Sequence, residues 1–150
     1  MATETMNDNP FGTSISSDDI IDTLGFFDSW EDRYKYIIDL GKELPPMDED
    51  KKDESHLVRG CQSQVWIDAS ESDGCLWFAT DSDAFIVKGL LAIVLAAYNG
   101  KTPAEVLKFD IENYFQQLDL LGHLSPTRGN GLRAMVKKIR TMAGDKAAVH

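Results

Sequence analysis

Cysteine is scarce in this chain: its 150 residues include only Cys61 and Cys75. Two are too few to staple a scaffold with disulfides, and nothing marks an oxidising compartment, so at least one thiol can be chemically available. Basic side chains are also outnumbered, with 15 Lys and Arg against 25 Asp and Glu and a formal net charge of -10. Affinity for a phosphate backbone comes largely from cations that displace counterions, so nucleic acid is not an expected partner. Long apolar runs are missing. The longest, Phe85 to Tyr98, is interrupted by Lys88 and falls short of the roughly 20 residues a bilayer requires, so no membrane span is expected. Met1 to Pro10 lacks a basic n-region followed by an apolar h-region, and its acidic residues argue against a transit peptide, which leaves a cytoplasmic protein as the expectation. His56, His123 and His150 are scattered without ligand spacing, and with two cysteines they give no metal site.

What is present suffices for one compact core, since 43% of the residues are hydrophobic. The expected organisation is a polar, non-periodic and mobile segment over 1–16, one domain over 17–144, and a flexible tail over 145–150. Ile20, Ile21, Leu24 and Phe27 recur at helical spacing, which predicts a short amphipathic helix from Asp18 to Phe27. Ser29 and Asp32 resemble a capping box that opens a second helix, ended before Leu44 by Pro45-Pro46. Met47 to Ser55 reads as a solvated loop. Three β-branched or aromatic runs follow, His56–Arg59, Gln62–Ala69 and Cys75–Thr80, and predict three antiparallel strands with Val65 and Ile67 on the buried face. Asp83 or Ser82 can cap a long buried helix that runs to Asn99. Thr102-Pro103-Ala104-Glu105 opens a short helix to Lys108, Asp110 caps another through Leu120, and Pro126 starts a last one carrying Leu132, Met135, Val136, Ile139 and Met142. Helices, a three-stranded meander and then helices again make an α+β domain, with a three-stranded antiparallel sheet packed against helices.

Chemistry concentrates at Gly60-Cys61-Gln62-Ser63-Gln64-Val65-Trp66, where the glycine permits a tight turn that presents the sulfur at a loop tip. This stretch resembles the signature of the SufE family, which includes the CsdE proteins. Three further segments resemble family segments in family order: Arg33 to Pro45, Asp81 to Gly89, and Leu124 to Leu132. The resemblance extends from about Trp30 to Met142. It implies a SufE/IscU-like fold in which Cys61 accepts sulfur as a persulfide from a cysteine desulfurase, of SufS or CsdA type, stimulates that enzyme, and passes the sulfur to a SufBCD-like iron–sulfur cluster scaffold. It implies no cofactor of the chain's own, since the pyridoxal phosphate belongs to the desulfurase.

The attacking species in such chemistry is the thiolate. No histidine is spaced as a dedicated base for Cys61, which disfavours a cysteine hydrolase. Arg59, next to the loop, either favours the thiolate electrostatically or is a solvated strand residue. Arg128 matches the family's arginine near the cysteine loop and can stabilise a thiolate or persulfide anion; otherwise it is a cation near a helix start, a mildly unfavourable place. Asp83 matches the acidic residue that opens the family's long helix, and either takes part at the loop or simply caps the helix. Cys75, beside Leu76, Trp77 and Phe78, reads as a small buried thiol, with resolution of an oxidised Cys61 as the alternative. The competing reading of the whole chain is a non-catalytic module that docks on a desulfurase and activates it allosterically.

Overall fold

The structure is a computed structural model that describes residues 9–60 and 63–149, with side chains as far as Asp145. Its first helices follow local capping chemistry. In α1 (Ser17–Phe26), the Ser16 hydroxyl accepts from the Asp19 amide at 3.2 Å and the Asp19 carboxylate accepts from the Ser16 amide at 2.9 Å, a reciprocal box that satisfies two donors. Helix α2 (Trp30–Lys42) is capped by Ser29, whose hydroxyl accepts from Asp32. Its buried residues Ile37, Leu40 and Gly41 face α3 (Phe85–Tyr98). All of α3 from Gly89 to Tyr98 is buried, so it is the central rod of the core. The contact between α2 and α3 is backbone on backbone. A Cβ added to Gly89 would lie 2.0 Å from the Ile37 carbonyl oxygen, and one on Gly41 would lie 2.7 Å from the Gly89 nitrogen.

The sheet has two antiparallel strands, β1 (Val65–Ser72) and β2 (Cys75–Ser82), paired from Val65 opposite Ser82 to Ser72 opposite Cys75. Asp73 and Gly74 close the hairpin with φ of 56° and 79°, the two positive values that a two-residue turn of matching twist requires. Val65, Ile67, Leu76 and Phe78 point into the core, as the alternation predicts. The third expected strand, His56–Arg59, is reduced to a single bridge, Leu57 opposite Trp66. Two hydrogen bonds hold it: the Val58 amide donates to Val65 at 2.8 Å and the Ile67 amide to His56 at 2.9 Å. It goes no further because His56 and Leu57 turn back onto Asp53 and Glu54, while Gly60 takes a φ of 91°.

The remaining helices are α4 (Pro103–Lys108), α5 (Ile111–Leu118) and α6 (Pro126–Val149). The Thr102–Glu105 box and the Asp110 cap form as expected, but α5 stops two residues early because Asp119 adopts a left-handed conformation. Short 3-10 turns occupy Glu49–Lys51 and Leu121–His123. Phe11, within the stretch 1–16, is fully buried, and its carbonyl accepts from the Asn99 side-chain amide at 3.0 Å, while Asn99 Oδ1 accepts from Phe78 at 2.8 Å. A buried amide that meets two backbone groups ties the end of α3, β2 and the N-terminal segment together. At the other end, α6 runs on to Val149.

Candidate functional site

The loop 59–64 leaves the protein at Val58 and returns at Val65, and the 2.8 Å bond between these two residues closes it at the base. Cys61, the expected nucleophile, lies with Gln62 outside the described residues; the residues on either side of the pair are described. Gly60 faces α6, where an added Cβ would come within 3.4 Å of the Ala134 methyl. Ser63, on the other side, lines a recess of about 40 Å³ with Val65, Val87, Ser125, Thr127, Arg128, Gly131 and Met135. Both flanks of the cysteine therefore rest against the N-terminal half of α6.

The return strand is clamped from α3's side. Gln64 donates its amide to the Asp83 carboxylate at 3.1 Å, and the Gln64 carbonyl accepts from the Ser82 hydroxyl at 2.7 Å and the Asp83 amide at 3.3 Å. The expected role of Asp83 or Ser82 as the cap of α3 is corrected here. Ala84 is the N-cap residue, no side chain caps the helix, and Ser82 Oγ accepts instead from the Ala84 amide. Asp83 is drawn away because the Gln64 amide, at the end of a strand, has no sheet partner and a carboxylate is a strong acceptor for it.

Arg128 is half-buried in the first turn of α6, where Ser125 Oγ accepts from its amide at 3.2 Å. A cation at a helix N-terminus opposes the helix dipole by about 0.3–1 kcal/mol, a cost that an anion in the recess would offset. Val87 brings the first turn of α3 to the same recess. The first turns of two helices and a guanidinium thus line the recess that Ser63 enters, and a guanidinium at a helix start favours an anion there.

Arg59 is exposed, in a turn and not in a strand. Cys75 is half-buried at the start of β2, opposite Ser72, and so lies at the hairpin end of the sheet instead of within the core expected for it. Trp66 is half-buried on the outer face, with the Lys52 ammonium 5.9 Å from its ring centroid. Lys52 also pairs with Asp81 at 2.5 Å, and Lys88 lies 3.4 Å from the same carboxylate. Phe85, 73% exposed on the first turn of α3, went unnoticed among the apolar residues of that helix. Its only sequence signal is its place two residues after Asp83, before the buried stripe begins. Among the described residues no group of three or more His, Cys, Asp or Glu side chains is arranged to hold a metal ion, and no helix is long and apolar enough to cross a membrane.

Comparison with known proteins gives this geometry a family. The model of the SufE family, described as an Fe-S metabolism associated domain, matches residues 18–143. The chain belongs to the SufE family. A SufE-like protein of Rhizobium etli is 47% identical over 137 residues, covering 89% of this chain and 93% of the relative. One from Rhizobium meliloti is 46% identical over 132 residues, covering 85% of this chain and 94% of the relative. The solution structure of a hypothetical protein from Thermus thermophilus superposes with a TM-score of 0.72 at 18% identity, covering 89% of this chain and 96% of that one, which shows the shared fold. This SufE-family chain is thereby associated with iron–sulfur metabolism.

Proposed function

We propose that this protein is a sulfur carrier that takes persulfide sulfur from a cysteine desulfurase of SufS or CsdA type onto Cys61, stimulates that enzyme, and delivers the sulfur to a SufBCD-like cluster scaffold in the cytoplasm. The observation that supports it best is the convergence of Arg128 and the first turns of α3 and α6 on the recess beside the cysteine-bearing loop. The Cys61 thiolate attacks the outer sulfur of the donor's persulfide. A sulfur–sulfur bond forms to Cys61, the bond inside the donor persulfide breaks, and the donor cysteine leaves as a thiolate with the electron pair. The proton on the outer sulfur travels with it, and no external oxidant or reductant is consumed. Arg128 and the helix ends stabilise the thiolate before transfer and the persulfide anion afterwards. The pyridoxal phosphate that releases sulfur from cysteine is the desulfurase's own.

The test is to incubate the protein with a desulfurase and cysteine and to weigh it by mass spectrometry. A sulfur adduct on Cys61 that is lost in Cys61→Ser, with the fold intact by circular dichroism, supports the proposal. Loading that survives in Cys61→Ser at Cys75 refutes it, and a Cys61→Ala protein that still stimulates the desulfurase fully would favour the allosteric docking module.

A further inference from the structure

Acid and base are unevenly distributed along this acidic chain. Residues 126–144 hold five of the 15 Lys and Arg and none of the 25 Asp and Glu. Helical geometry sorts those cations further. Arg128 lines the recess beside the cysteine loop with Gly131 and Met135, whereas Arg133, Val136, Lys137 and Arg140 line a separate cleft between α5 and α6. At 3.6 residues per turn the two sets lie on roughly opposite sides of α6. The cleft measures about 440 Å³, and its floor is apolar, formed by Ile111, Phe115 and Val136.

Arg133, Lys137 and Arg140 follow one another at intervals of four and three residues, so the basic edge runs for about 10 Å along the helix. Glu112 engages Arg133 through both terminal nitrogens, at 2.5 and 3.5 Å. Among the described residues no carboxylate pairs with Lys137 or Arg140. A line of cations above an apolar trough does not converge on a point as a site for a single phosphate would. It matches an extended ligand with carboxylates at intervals and small apolar groups between them. The net charge of -10 repels a nucleic acid over longer range.

We propose that the cleft between α5 and α6 is a docking groove for an acidic, amphipathic segment of a protein partner, held apart from whatever engages the 59–64 loop. Carboxylates of that segment would meet Lys137 and Arg140, and its apolar side chains would rest on Phe115 and Val136. The reading is independent of sulfur transfer, because it uses neither Cys61 nor Arg128.

A fluorescein-labelled peptide of about 14 residues, with Glu and Leu at helical spacing, serves as the probe. It is titrated by anisotropy at low salt, with amide shifts of the full chain followed by NMR. Shifts confined to Ile111–Phe115 and Arg133–Thr141 are expected, with affinity about tenfold weaker or worse in K137E/R140E and unchanged in K35E/K42E on α2. Circular dichroism verifies that both variants remain folded. A peptide with Gln in place of Glu should not bind. The proposal is overturned if K137E/R140E binds as tightly as the parent, if K35E/K42E weakens binding equally, or if the shifts map to the 59–64 loop. It also fails if inorganic phosphate or a single-stranded oligonucleotide binds the same residues as well as the Glu peptide does.

Discussion

Asp83→Ala removes the acceptor that holds the Gln64 amide at 3.1 Å while leaving the Ser82 hydroxyl and the Asp83 amide on the Gln64 carbonyl. A hydrogen bond to a charged acceptor contributes about 1.5–3 kcal/mol when sheltered, and exposure of both residues reduces that to about 1 kcal/mol. The lost stabilisation is local, because Val65 and Ile67 immediately beyond are fully buried and anchored in the core. About 1 kcal/mol corresponds to roughly a fivefold larger open population, so hydrogen exchange at the Gln64 amide should quicken by about that factor. Exchange at Val65 and Ile67 and the denaturation midpoint should barely change. Asp83→Asn, which keeps an acceptor oxygen without the charge, should fall between the parent and the alanine variant. Measured by NMR on labelled protein, an unchanged Gln64 rate in Asp83→Ala would show that this bond does not restrain the loop. A general rise in exchange across β1 would show that Asp83 is an ordinary structural residue.

Gly89→Ala forces a methyl to within 2.0 Å of the Ile37 carbonyl oxygen, and since backbone cannot yield as a side chain does, urea denaturation should show a loss of about 3 kcal/mol or more. Gly144→Ala is the opposite case: nothing lies within 4 Å of the added carbon inside α6, so a gain of about 0.5–1 kcal/mol is expected, and a loss would contradict the packing described. Hydrogen bonds from Ser55 and His56 hold the Asp53 carboxyl at about 2, below its usual 3.8. Because the folded value is the lower one, this contribution is complete above pH 3.8 and disappears as the pH falls through 2. An Asp53 carboxyl carbon that titrates near 3.8 in the folded protein would rule those bonds out.

Most of the helices were legible because their signals are local. Ser29, Thr102 with Glu105, and Asp110 each cap within three residues of themselves, and β1 declares its buried face by alternation. What escaped was non-local. Asp83 finds its partner 19 residues upstream, so capping, the local use of an acid before a helix, was the natural but incorrect reading. Phe11 stands alone in a polar stretch and has no period; it joins the core, and Asn99, 88 residues later, donates to its carbonyl. The third strand failed because β-branched and aromatic content says nothing about the turn at Asp53–Leu57 that consumes its backbone groups. At the site, the family motif named Cys61, Arg128 and Asp83. That Ser63 and Arg128 share a recess, and that Gly60 rests on Ala134, required the fold of α6 against the loop.

The described ends of the 59–64 segment are fastened by backbone, by the residues just before α3 and by α6. Among the described residues, the Val58–Val65 bond closes the base, Ser82 and Asp83 hold Gln64, and Gly60 and Ser63 rest against α6. Each exposed or part-buried bond of this kind is worth about 0.5–1.5 kcal/mol. Local opening at Gln64 should stop at Val65, which is fully buried and would have to surrender apolar burial to go further. Arg128 and the first turns of α3 and α6 hold their places independently of the Gln64 bonds, because they belong to the helices.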